Sequence, residues 1–84
     1  MRALFIGGTI DNSEVDIDGE PPVHYPENTG AGRPRYRLFE VGRRDGALAY
    51  AVYSAPEMHA DAVETVASER DYARRFAANE VVRT

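Results

Sequence analysis

The sequence has no cysteine, no lysine and no long apolar run. Without cysteine there is no disulfide framework and no zinc–thiolate site. That suits a reducing compartment, and a cytoplasmic location is the expectation. Without lysine, all ten basic residues are arginine. Together with the many alanines this fits a GC-rich genome and bears on codon supply, not on function. No stretch approaches the ~20 apolar residues of a membrane span, so no membrane partner is expected. Met1-Arg2-Ala3-Leu4-Phe5-Ile6 offers only four apolar residues before Gly7-Gly8, against about 7–15 in a secretory leader.

Eighty-four residues are expected to form one domain over 1–84. A chain this short buries only a little over ~60% of its surface. The net charge of −4 opposes general nucleic-acid binding. The charges are segregated. Residues 7–32 carry Asp11, Glu14, Asp16, Asp18, Glu20 and Glu27 with no base. Residues 33–44 carry Arg33, Arg35, Arg37, Arg43 and Arg44 against Glu40 alone.

The strongest local signal is a hairpin over 35–53. Two strand-like runs flank Asp45-Gly46, which suits a two-residue type I′ turn. Arg44 then faces Ala47, Val41 faces Tyr50 and Phe39 faces Val52. Alternation puts Phe39, Val41, Leu48, Tyr50 and Val52 on one face. The other, with Tyr36, Leu38, Glu40, Ala49, Ala51 and Tyr53, is half polar and mostly small, so a sheet packed on one side is expected.

Residues 2–6 read as a strand that is apolar on both faces, which suits a central seat. Residues 11–19 alternate, Val15 and Ile17 on one face and Glu14, Asp16 and Asp18 on the other, as a short edge strand does. Residues 11–34 are expected to be a long acidic loop region, with four of the five prolines falling in 19–34. After the hairpin, Ser54 and Glu57 match a capping box with Pro56 in the first turn. The pattern predicts either one helix over 55–78 or two short ones broken near Ser68, and the break is favoured. Met58, Ala62, Val66, Ala73 and Phe76 form its expected stripe. Asn79 suits the helix end. Residues 80–84 are expected to fray, with Val81-Val82 suited to a sheet edge. The fold class is α+β: a small antiparallel sheet, N-terminal strand plus hairpin, with the C-terminal helix or helices on one face.

Several motifs carry chemistry elsewhere. A strand followed by Gly7-Gly8-Thr9-Ile10 resembles the opening of L-asparaginases, where that turn supplies a nucleophilic threonine, here Thr9. That fold needs a far longer chain, a lysine and a threonine–aspartate pair, so the turn is read as ending a strand. Glu14-x-Asp16-x-Asp18-Gly19 resembles the start of an EF-hand loop, but Tyr25 stands at the twelfth position where a bidentate glutamate belongs. His24 and His59 are not at ligand spacing, and no metal or other cofactor is expected. Ser13, Thr29, Ser54 and Ser68 read as turn and cap residues. No carboxylate is marked as a general acid or base, so the chain is not expected to be an enzyme.

The expected function is a small non-catalytic protein-interaction module. Its binding residues would be His24, Tyr25, Glu27, Arg33, Arg35, Tyr36, Arg37, Arg43, Arg44 and Tyr53, drawn from the 19–34 loop and the arginine-rich hairpin. In size and composition it is similar to small phage and prophage proteins, a likeness resting on no motif. One alternative is nucleic-acid binding by Arg33–Arg44 with the aromatics. Another is a self-assembling structural subunit, a homodimer joined through Phe5 and the Tyr36/Leu38/Tyr53 face.

Overall fold

A computed structural model describes residues 1–26 and 35–84. The strands are β1 (Arg2–Ile6), β2 (Glu14–Asp16), β3 (His24–Tyr25), β4 (Tyr36–Arg44), β5 (Ala47–Ser54) and β6 (Glu80–Arg83). The helices are α1 (Ala60–Arg70) and α2 (Tyr72–Arg75). The sheet order is β2-β1-β5-β4-β3, and β6 also pairs with β4. Among the described residues, no helix is long and apolar enough to cross a membrane.

The α+β character holds, but the sheet is mixed instead of antiparallel. β1 runs parallel to β5, from Arg2 beside Tyr50 to Ile6 beside Ser54, while β2 pairs antiparallel on its other side. The composition of β1 explains this seat. Ala3, Leu4, Phe5 and Ile6 are all fully buried, and a strand apolar on both faces finds cover on both only inside a sheet.

The Asp45-Gly46 turn is as expected, both residues at positive φ (53° and 83°) and Arg44 opposite Ala47. Beyond it the register departs from simple alternation. Shifts between Gly42 and Arg43 and between Leu38 and Glu40 place Val41 opposite Ala51 and Glu40 opposite Val52. Each shift exchanges the faces of the residues beyond it. Phe39, Tyr50 and Val52 therefore stay on the helix side, with Leu4, Ile6, Val63, Ala67 and Tyr72. Val41 and Leu48 move to the opposite side.

That opposite side is no half-polar surface. The curled sheet closes there on Phe5, Tyr36, Leu38, Ala51 and Tyr53. Phe5 lies edge-on to Tyr36 at 5.2 Å and stacks on Tyr53 at 5.6 Å. Tyr25 tilts against Phe5 at 5.1 Å. Such rings add to the burial of apolar area. The residues expected to offer a dimer contact thus form a second core.

Glycine is required at Gly42. A Cβ there would lie 2.0 Å from the Tyr50 ring. The absent side chain lets that ring pass beneath β4.

Residues 11–34 are not wholly loop, since β2 and β3 lie within them. The helix begins later than the capping box predicts. Ser54 is held in the sheet, paired with both Ile6 and Arg37, and His59 takes the N-cap position without a side-chain cap. The break falls at Asp71, three residues past Ser68, in the left-handed conformation (φ 57°, ψ 43°). Aspartate tolerates that region better than most residues. Tyr72 is then buried and Ala73 only half-buried. The expected stripe is corrected accordingly: Met58 precedes α1, and Ala62 is exposed.

The tail does not fray. β6 lies antiparallel along β4, Glu80 beside Arg43 and Arg83 beside Glu40. Asn79 does not cap a helix. It exchanges hydrogen bonds with the hairpin turn: Asp45 N–H donates to its Oδ1 at 3.2 Å, and its Nδ2 donates to Asp45 Oδ1 at 3.0 Å.

Candidate functional site

β3 and β6 divide the outer edge of β4 between them. β3 covers Tyr36 and Arg37, and β6 covers Glu40 to Arg43. Strand β6 is the more exposed. All four of its residues are open to solvent, with Val81 46% and Val82 48% exposed. Val23, whose carbonyl accepts from Leu38 N–H at 2.8 Å, is 59% exposed on the same edge.

Thr84 N–H donates to the Phe39 carbonyl at 3.0 Å. Antiparallel alternation then aims the main-chain groups of Val82 and Glu80 at β4, and those of Val81 and Arg83 outward. No strand among the described residues pairs with that outer edge.

Behind β6 lies a cleft of about 260 Å³ between the sheet and the helices, lined by Glu40, Tyr50, Glu64, Tyr72, Val81 and Arg83 among others. Glu40 forms its floor and is only 6% exposed. The register shift between Gly42 and Arg43, where β5 carries the extra residue Ala49, turns it toward the helix side, where Tyr50 Oη donates to its Oε2 at 3.2 Å. Burial holds the Glu40 carboxyl above the usual carboxylate range, and the Tyr50 hydrogen bond only partly offsets this. Tyr50 is raised too, first by burial and then by the neighbouring carboxylate.

Arg83 bridges strand to helix. Its Nη2 lies 3.0 Å from Glu64 Oε1, its Nε 3.9 Å from Glu40 Oε1, and its guanidinium 4.9 Å above the Phe39 ring. The hydrogen bond from Arg83 lowers the Glu64 carboxyl.

The expected binding residues do not form one surface. Tyr36 and Tyr53 are buried, which removes them from any contact face. Tyr36 Oη donates to the Gly7 carbonyl and accepts from Ile10 N–H, and Tyr53 Oη donates to the Pro22 carbonyl at 2.8 Å. Tyr25 is half-buried against Phe5 and Tyr53. His24 is half-buried opposite Arg37. Arg35 is half-buried just before β4. Arg37 is exposed beside a groove shared with Met58, Ala60 and Thr84. Arg43 donates to the Gly46 carbonyl at 3.2 Å, and Arg44 is exposed at the hairpin tip. Six residue steps along β4, about 20 Å, separate Arg37 from Arg43. Glu27 and Arg33 lie outside the described residues.

Residues of the motifs take part in a turn and in surface ion pairs. Asp11 accepts from Gly7 N–H at 2.7 Å inside the turn that holds Thr9. Asp16 is paired with Arg2 at 3.2 Å and Glu14 with Arg75 at 3.0 Å. Among the described residues, no group of three His, Asp or Glu side chains is placed to hold a metal ion.

Sequence reasoning missed Glu40, because simple alternation counts it among the residues of the face away from the helix. The one available signal was its position as the lone acid in a basic stretch. No protein-family model matches the chain, and no curated protein or solved structure matches it.

Proposed function

We propose that this chain is a non-catalytic protein-interaction module that receives an extended segment of a partner protein along the outer edge of β6. The observation that carries the reading is an edge strand whose outer main-chain groups pair with no other strand among the described residues, and whose two valines are about half exposed. Sheet edges with free N–H and C=O groups template the pairing of another strand, and proteins usually blunt them with charge, proline or cover. Here the two middle residues of the edge are apolar. Main-chain bonds would supply affinity, and side-chain pockets at alternate positions specificity.

The hairpin supports the edge instead of forming the contact itself. Asn79 fastens the start of β6 to the turn, and Thr84 Oγ1 fastens its end by donating to the Leu38 carbonyl at 2.7 Å.

The test is affinity capture from native lysate with and without nuclease, using the parent chain and Val81→Pro. Proline at Val81 removes an N–H that points away from β4, so the sheet is kept while an added strand loses a bond. A protein captured by the parent in both conditions and lost with the variant supports the reading. Capture unaffected by the variant would overturn it. Recovery that disappears with nuclease would move the chain to the nucleic-acid class.

A further inference from the structure

Resting on that reading, we infer that the segment received at β6 is basic on the side that faces the helices, and that one of its arginine or lysine side chains enters the Glu40 cleft. Among the described residues, three carboxylates line the cleft, Glu40, Glu64 and Asp71, with the guanidinium of Arg83; Asp71 also lies 3.8 Å from Arg74.

Glu40 is nine-tenths buried, and its carboxylate has acceptor capacity to spare. A carboxylate offers about four lone-pair sites. Oε2 accepts one neutral hydrogen bond, from Tyr50. Arg83 Nε lies 3.9 Å from Oε1, too far for a hydrogen bond. Through Nη2, Arg83 holds Glu64 at 3.0 Å. An incoming guanidinium or ammonium would supply further donors as charge-assisted bonds.

Topology brings such a group to the right place. Val81 lines the cleft with its side chain and directs its main-chain groups outward. A strand added beside β6 places alternate side chains on the face of Val81, at the mouth of the cleft. Glu64 and Asp61 on α1 extend the negative surface beside Arg83. An acidic segment, or a phosphate backbone, would meet like charge there.

The test uses isotope-labelled protein and two acetylated octapeptides, one alternating arginine with valine and one alternating glutamate with valine. Amide shifts report where each binds. The expected result is that the arginine peptide moves the Val81 and Arg83 amides, and that Glu40→Gln weakens it about tenfold or more. Glu64→Gln, on the surface, serves as a second variant should Glu40→Gln melt early. Equal shifts at 80–83 from both peptides would leave the edge reading standing and overturn the basic partner. Unchanged arginine-peptide affinity in both variants would do the same. No shift at 80–83 from either peptide would overturn the edge reading as well.

Discussion

Arg70 donates two hydrogen bonds of 3.0 Å to the two carboxylate oxygens of Asp11, fifty-nine positions earlier in the chain. The same guanidinium donates to the Phe5 carbonyl at 3.2 Å and to Tyr72 Oη at 3.2 Å. It thus ties the turn after β1 to the break between the helices. Arg70→Met keeps the stem and removes all these donors. Exposed ion pairs contribute little, typically under ~1 kcal/mol. The partly buried bonds to Phe5 and Tyr72 raise the expected loss to about 1–2 kcal/mol, readable by urea unfolding. An unchanged midpoint would show that the fork is ornamental.

Acid titration separates two kinds of carboxylate. Asp11 is lowered, first by the Gly7 amide and with help from Arg70, and Glu64 is lowered by Arg83. Their stabilisation is complete above the ordinary carboxylate range, about 4, and is lost as pH falls through their lowered values. Glu40 is raised by burial. Its contribution is complete below that ordinary range and is lost as pH climbs through its raised value. The melting temperature should therefore peak in mild acid. In Glu40→Gln the decline on the neutral side of the peak should flatten, as scanning calorimetry from pH 3 to pH 8 would show.

Gly42→Ala should be among the costliest single-methyl changes in the chain. The new Cβ would meet the Tyr50 ring at 2.0 Å, and that ring is fully buried. Overpacking of this kind costs about 1–3 kcal/mol or more. The loss should appear in denaturant midpoint without change in slope. Stability equal to the parent would mean that the ring can move aside.

Proline placed along β6 distinguishes its two edges. Val82→Pro removes an N–H directed at β4 and should lower stability by about 1–3 kcal/mol. Val81→Pro removes one directed outward and should leave the melting point nearly unchanged. A reversed order would mean that the strand presents the other set of groups to solvent.

The hairpin was legible because Asp45-Gly46 admits few alternatives and alternation on both sides agrees with it. β1 was legible as a central strand from four consecutive apolar residues, but its parallel partner was not, because nothing within residues 2–6 states a direction. The shifts along the hairpin, with extra residues at Phe39 and Ala49, escaped because they depend on packing: Gly42 reads as a weak strand residue until the Tyr50 ring is placed under it. The helix start was misread because Ser54 suits a cap and a strand end equally, and its pairing with Ile6 and Arg37 decided the matter. The site followed from these errors. Glu40 becomes a cleft floor only once the register shift turns it to the helix side, and Val81 with Val82 became an exposed edge only once the tail joined β4.

The parallel seam between β1 and β5 also orders events in time. Arg2 sits beside Tyr50, so β1 waits for β5, which is made after it, before that seam can form. Until then Ala3 to Ile6 are an apolar segment without cover. The hairpin, whose contacts are local, closes early, and the insertion of β1 closes late. Released chains that end before residue 50 should therefore leave residues 2–6 open to protease, and the full 84-residue chain should protect them.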